Sequence, residues 1–189
     1  MPEPRLVVLT APSGAGKTSI ARRVLQAFPN MRFSVSATTR PPRPGERNGV
    51  DYYFLSEEAF RELIRDGQFV EYEEVYPGRL YGTLRSEIDA ASRAHPVLLD
   101  IDVKGALRIK ERFGEEALAI FIKPPSLEVL ADRLRTRGTE NAAALAERLE
   151  RARMELTYED RFDAVVVNDD LERATAETLN LVRSFLSRP

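Results

Sequence analysis

Cysteine is absent from the 189 residues, which rules out disulfides, cysteine-ligated zinc and a thiol nucleophile. Histidine occurs once, as His95 directly before Pro96, so no second imidazole can share a metal and the position reads as a loop residue without chemistry. No apolar run approaches the ~20 residues needed to span a bilayer. The first motif begins by residue 11, so the expectation is a cytoplasmic protein without a targeting segment. Internal repeats and low-complexity tracts are missing as well. There is no surplus of positive charge: 28 basic against 30 acidic side chains give a net charge of −2, so no overall field draws the chain to nucleic acid or an anionic membrane. Any basic site must be local. Lysine is scarce, four residues against twenty-four arginines, a bias that suits planar bidentate contacts to phosphates and carboxylates or simply reflects genome composition.

What is present is enough apolar material for one well-cored domain, 43% hydrophobic with 31% charged, a globular balance. Its organising stretch is Arg5-Leu-Val-Val-Leu-Thr10 followed by Ala11-Pro-Ser-Gly-Ala-Gly-Lys-Thr18. The apolar, β-branched run reads as a buried strand, Gly14 and Gly16 permit a tight turn, and Ser19 to Phe28 carries helical spacing at Ile20, Val24 and Leu25. In a strand, loop and helix of this kind, successive backbone N–H groups and the helix N-terminus face a polyanion. Lys17 can reach the outer phosphates and the Thr18 hydroxyl can ligate magnesium. Ala11 replaces the first glycine of the usual phosphate-loop pattern.

Apolar segments recur at Leu6–Leu9, Phe33–Val35, Val97–Ile101, Leu118–Ile122 and Ala164–Val167. Most are continuous rather than alternating, as in strands covered on both faces. Helical patterns over Lys104–Phe113, Ser126–Arg137, Ala142–Tyr158 and Leu171–Leu186 separate several of them. This alternation predicts an α/β fold: a three-layer α/β/α domain on a mostly parallel five-stranded sheet, with ligands beyond the strands' carboxyl ends. Between the second and third strands, residues 37–95 form an insertion. Its signals are a helix near Glu57–Arg65, a strand-like Phe69–Val75, a Pro77-Gly78 turn and a helix from about Leu84 to Ala91. The expected division is one domain over 1–189, with a core of 1–36, 96–125 and 154–189, a small mixed α/β insertion 37–95 and a helical lid 126–153.

Ala11–Thr18 is accompanied, in order, by Phe33-Ser-Val-Ser-Ala-Thr-Thr-Arg-Pro-Pro-Arg43, Gly45-Glu-Arg-Asn-Gly-Val-Asp-Tyr52, Tyr81-Gly-Thr83, Leu99-Asp-Ile-Asp102, Arg137-Gly138 and Val167-Asn-Asp-Asp170. Together these closely resemble the guanylate kinase family. The resemblance implies magnesium-dependent phosphoryl transfer from ATP to GMP, and to dGMP as well, with ATP and GMP as small-molecule partners and neither nucleic acid nor membrane as a partner. It implies that residues 11–19 (Ala11, Pro12, Ser13, Gly14, Ala15, Gly16, Lys17, Thr18 and Ser19) hold the ATP phosphates, with Asn168 and Asp169 at the adenine. Thr18 and Asp100 are the implied magnesium residues.

Arg40 and Arg43 lie three apart on a proline-stiffened segment, so their forks can converge on one anion. The resemblance makes that anion the GMP phosphate, with Tyr52 and Tyr81 adding phenolic hydroxyls. An ionised carboxylate only accepts hydrogen bonds, and guanine's Watson–Crick edge presents two adjacent donors where adenine presents one donor and an acceptor. Glu71, on an apolar strand-like segment, therefore suits guanine. Ser36 and Thr83 are implied near the base. Asp100 and Asp102 end an apolar strand with two carboxylates on one face, since strand side chains alternate with period two; Asp102 is implied at the base, it can also cap the helix that follows, and both roles can coexist. Arg133, Arg137 and Arg148 are the implied lid cations, which with Lys17, Arg40 and Arg43 would neutralise charge on the transferred group. Arg135 and Arg151 read as helix-surface ion-pair partners. Two rivals stay open: a phosphate-loop kinase with another acceptor, and a non-catalytic interaction module of the same fold. A GTPase is disfavoured, since no Asn-Lys-x-Asp motif occurs.

Overall fold

Five consecutive buried residues, Leu6–Thr10, form the central strand β1 of a computed structural model that describes residues 4–89, 91–136 and 142–188. β1 runs parallel to β7 (Val97–Asp100) on one side and β8 (Ala117–Lys123) on the other. Outside these lie β2 (Arg32–Phe33) and β9 (Ala164–Val167), giving the order β2-β7-β1-β8-β9 with every pairing parallel.

The period of two along a strand divides the core. Val7, Leu9, Leu98, Ile120 and Ile122 pack on one face with Ile20 and Val24 of α1 (Lys17–Ala27) and Val182 and Phe185 of α7 (Leu171–Leu186). Leu6, Val8, Val97, Leu99 and Ala119 pack on the other with Ala106 and Ile109 of α4 (Val103–Phe113). Both faces being covered is why the strands read as unbroken apolar runs. Burial of each large aliphatic side chain contributes about 1.5–3 kcal/mol. The chain leaves β1 towards β2 and later crosses to β8, so strand order reverses at β1, and a crevice opens at that strand's carboxyl end.

The insertion contains β3 (Ala37–Thr38), β4 (Tyr53–Phe54), α2 (Glu57–Arg65), β5 (Phe69–Tyr76), β6 (Arg79–Leu84) and α3 (Arg85–Ile88). Its mixed sheet has the order β4-β3-β6-β5, and Ala37, Phe60 and Phe69 form its core. Ser56 starts α2 by accepting from the Ala59 N–H, and Glu57 and Glu58 complement the helix's positive end. The lid region supplies α5 (Leu127–Thr136) and α6 (Ala142–Leu156); Arg137 and the Gly138 break lie outside the described residues.

Several boundaries differ from expectation for local reasons. β2 pairs over only two residues: the Ser34 N–H still donates to the Leu98 carbonyl at 2.9 Å, and the Val35 N–H, on the outer side of this edge strand, donates to the Glu87 carboxylate of α3 at 2.9 Å. β6 is a full strand that the sequence hides, since Gly82 interrupts its pattern; a Cβ there would sit 2.8 Å from the Phe69 ring. β3 and β4, with two residues each, are too short to leave a period. Among the described residues no helix is long and apolar enough to cross a membrane.

Candidate active site

The turn after β1 is built from its glycines. Gly14 and Gly16 both have φ of 92°, a left-handed conformation that a side chain disfavours, and the Ala15 N–H donates to the Pro12 carbonyl at 3.1 Å. Space is a second constraint at Gly16. The buried Asn168, just beyond β9, donates its side-chain amide to the Ala15 carbonyl at 2.7 Å, and a Cβ on Gly16 would lie 2.3 Å from that nitrogen. Strain at a left-handed non-glycine residue costs about 1–3 kcal/mol. Gly16→Ala is therefore expected to weaken binding of a polyphosphate at this loop about tenfold or more, and a titration with tripolyphosphate giving wild-type affinity would show that the loop tolerates displacement.

Lys17 opens α1 and turns back across the crevice. Its Nζ lies 2.6 Å from Asp100 Oδ1 at the end of β7 and donates to the Ile101 carbonyl at 2.9 Å. Burial alone would lower the Lys17 pKa, but the charge and hydrogen bond of Asp100 more than offset it and leave it raised. Thr18 and Ser19 are exposed at the same mouth.

One cavity joins this loop to the insertion. It is lined by residues 11–19 together with Ser36, Arg43, Tyr52, Glu71, Tyr81, Asp100 and Asp102. Glu71 comes from β5 and is buried. One oxygen accepts the Thr83 hydroxyl from β6 at 2.6 Å, and the other, Oε2, has no partner among the described residues. Burial pushes its carboxyl up to about 7, against which the Thr83 hydrogen bond acts. Gly105 of α4 makes room for it: a Cβ there would lie 2.7 Å from Oε2. A buried acceptor left open at a cavity wall calls for a ligand that donates.

Asp102 lies beyond the end of β7, so the shared-face argument fails; it caps α4 by accepting from the Lys104 and Gly105 N–H groups at 3.0 and 3.1 Å, and still lines the cavity. Burial raises the Tyr52 phenol, keeping its hydroxyl neutral. Arg40 is not at the cavity wall; it lies behind Tyr52, its guanidinium carbon 5.1 Å from that ring's centre and 5.6 Å from that of Phe54.

The lid reaches the loop and the residue that braces it. Arg148 Nη1 lies 3.4 Å from the Ser13 hydroxyl, and Arg133 donates to the Asn168 carbonyl at 2.8 Å. Asn168 and Asp169 do not line the cavity. The first braces the phosphate loop, and the second is an exposed partner of Arg173. Among the polar lining residues, Tyr76, Arg79 and Glu155 had no role in the sequence reading, and Arg151 had only that of a helix-surface ion pair. Arg151 does pair with Glu155, at 2.8 Å, but inside the cavity and 4.8 Å over the Tyr76 ring rather than on an open helix surface. A signal existed in the spacing, since Arg148, Arg151 and Glu155 share one helix face.

Comparison with known proteins agrees with this geometry. The family model described as guanylate kinase matches residues 3–185. A guanylate kinase of Salinibacter ruber is 59% identical over 99% of this chain and all of its own length, and one of Chlorobium luteolum is 52% identical over 97% of this chain and 93% of its own. The crystal structure of guanylate kinase from Anaplasma phagocytophilum superposes with a TM-score of 0.82 at 34% identity, covering 99% of this chain and 88% of that one. A phosphate loop facing an open, buried carboxylate across one cavity, and relatives alike from end to end, lead to one statement: the chain belongs to the guanylate kinase family.

Proposed function

We propose that this phosphotransferase moves the γ-phosphoryl group of ATP to GMP, releasing ADP and GDP. An oxygen of the GMP phosphate attacks the γ-phosphorus while the bond to the β,γ-bridging oxygen breaks, and that oxygen leaves with ADP. The acceptor is already anionic, so the reaction asks for alignment and charge neutralisation rather than a strong base. Residues 11–19 hold the ATP phosphates, Arg40 and Arg43 with Tyr52 and Tyr81 steady the acceptor phosphate, and Lys17, Arg133, Arg137 and Arg148 join the two arginines in neutralising the transferred group. Glu71 takes the two guanine donors, with Ser36, Thr83 and Asp102 around the base. The insertion 37–95 and lid 126–153 close over the pair and exclude water.

Magnesium takes phosphate and water oxygens in preference to dense protein cages, so one hydroxyl and one carboxylate beside the loop, Thr18 and Asp100, fit it. When bound with ATP it supplies further neutralisation of phosphate charge.

The observation that carries the reading is the unpartnered Oε2 of Glu71 in the cavity that Lys17 and Arg43 also line. The test is coupled ADP release with GMP, dGMP, AMP, CMP and UMP compared side by side. Turnover confined to the guanine nucleotides is expected, and equal turnover with AMP would overturn it. The pH profile gives a second test. Guanine's donors need the ionised carboxylate, so kcat/KM for GMP rises with pH through about 7 and flattens above it. Glu71→Gln removes that transition, leaving the ionisation of the GMP phosphate alone. A wild-type profile flat between pH 6 and pH 8 would take Glu71 off the base, values placed about one unit either side of the transition.

A further inference from the structure

The phosphate-binding edge of Arg40 is selected by a neighbour that the proposed reaction does not use. A guanidinium has five N–H groups. In Arg40, which is only 5% exposed, Nη1 donates to Glu46 Oε2 at 2.8 Å and to the Pro41 carbonyl at 2.8 Å, and Nη2 donates to Glu46 Oε1 at 2.9 Å. Three donors are thereby taken. The remaining two, Nε–H and the second Nη2–H, lie parallel along the other edge of the planar group, the arrangement that meets two oxygens of one phosphate. Tyr52 and Phe54 pack beside the guanidinium, their ring centres 5.1 and 5.6 Å from its carbon and 5.8 Å from each other, and the two-point grip of Glu46 fixes its rotation. The same carboxylate reaches Arg43. Its Oε2 accepts the Arg43 N–H at 2.6 Å, and the Glu46 N–H donates back to the Arg43 carbonyl at 3.0 Å. The hydrogen bond from Arg40 holds the Glu46 carboxyl below its ordinary range, so the grip persists at neutral pH.

We propose that Glu46 is a positioning residue for the acceptor: it orients the Arg40 fork and anchors the Arg43 main chain so that both arginines meet one phosphate in a preset geometry. The inference rests on the reading that Arg40 and Arg43 serve the GMP phosphate. Glu46 takes the Nη1–Nη2 end of Arg40 and leaves the Nε–Nη2 edge open, so it does not occupy the place of the phosphate. Positioning and competition therefore predict opposite signs when the carboxylate is removed.

Glu46→Gln keeps size and one acceptor but cannot hold both guanidinium nitrogens. With a grip of this charge-assisted kind lost, KM for GMP is expected to rise about tenfold to a hundredfold. KM for ATP should stay within about twofold and the melting temperature within a few degrees. In an Arg40→Lys background, which has no fork to orient, Glu46→Gln should add less than about twofold to KM for GMP. An unchanged or lowered KM for GMP, or a full additional effect in the Arg40→Lys background, overturns the proposal. If Glu46→Gln does not fold, Glu46→Asp, one methylene shorter, carries the test with the same expected direction. Failure of the wild type to phosphorylate GMP would overturn the functional reading instead.

Discussion

Replacing Lys17 by alanine lowers kcat by about 10²–10³-fold while the protein stays folded, the scale seen when one preorganised charge donor is removed from a transition state. The fold survives because Lys17 contributes nothing to the apolar core: α1 packs on the sheet through Ile20, Ala21 and Val24, which are all buried. Locally the substitution strands Asp100, 15% exposed, and leaves the Ile101 carbonyl without its donor. Water can follow, since Lys17 itself is 19% exposed, so the stability loss stays within about 1–3 kcal/mol. Steady-state ADP release and a thermal melt measure the two effects separately. A variant turning over within about threefold of wild type would remove the phosphate loop from the mechanism.

Glu71→Gln is expected to lower kcat/KM for GMP by about two orders of magnitude and leave KM for ATP near its wild-type value. The amide keeps an acceptor for Thr83, but sets an NH₂ where Oε2 stood open, opposite a base that also donates. Equal loss for both nucleotides would show that the change spreads through the fold. Stability gives an independent reading with a definite sign. The folded protein holds the Glu71 proton more tightly than the unfolded chain, so its contribution to stability falls as pH rises from about 4.5 to about 7 and is level above that. Without nucleotide, the glutamine variant should thus lack this downward slope and gain on the wild type as pH rises. GMP should reverse the order by binding the ionised form.

The sheet was legible in the sequence because both of its faces are buried: continuous runs such as Val97 to Leu99 have no other use in a chain of this composition. What the sequence concealed lies where a residue is satisfied by something distant. Nothing local to Phe33-Ser-Val35 says that a carboxylate at Glu87 will take the Val35 amide, and Gly82 reads as a break until Phe69 is placed against it. At the site, residue types with one evident chemistry stood out, among them the arginine pair, the lone Glu71 and the Lys17 loop. Arg151 and Glu155 did not, since an i,i+4 ion pair looks the same on an open surface and in a cavity. Asn168 was expected at the adenine, yet its amide donates to Ala15, a relation between distant parts of the sequence that no spacing reveals.

That relation orders events during synthesis. A ribosome delivers Ala11–Thr18 first, but the amide that steadies the Ala15 carbonyl arrives some 150 residues later, with the loop after β9. Nucleotide therefore has no finished cradle to template on a half-made chain. Ligand-dependent protection from proteolysis should begin only when β9 has joined the sheet, which makes ATP a reporter of completed folding rather than a scaffold for it.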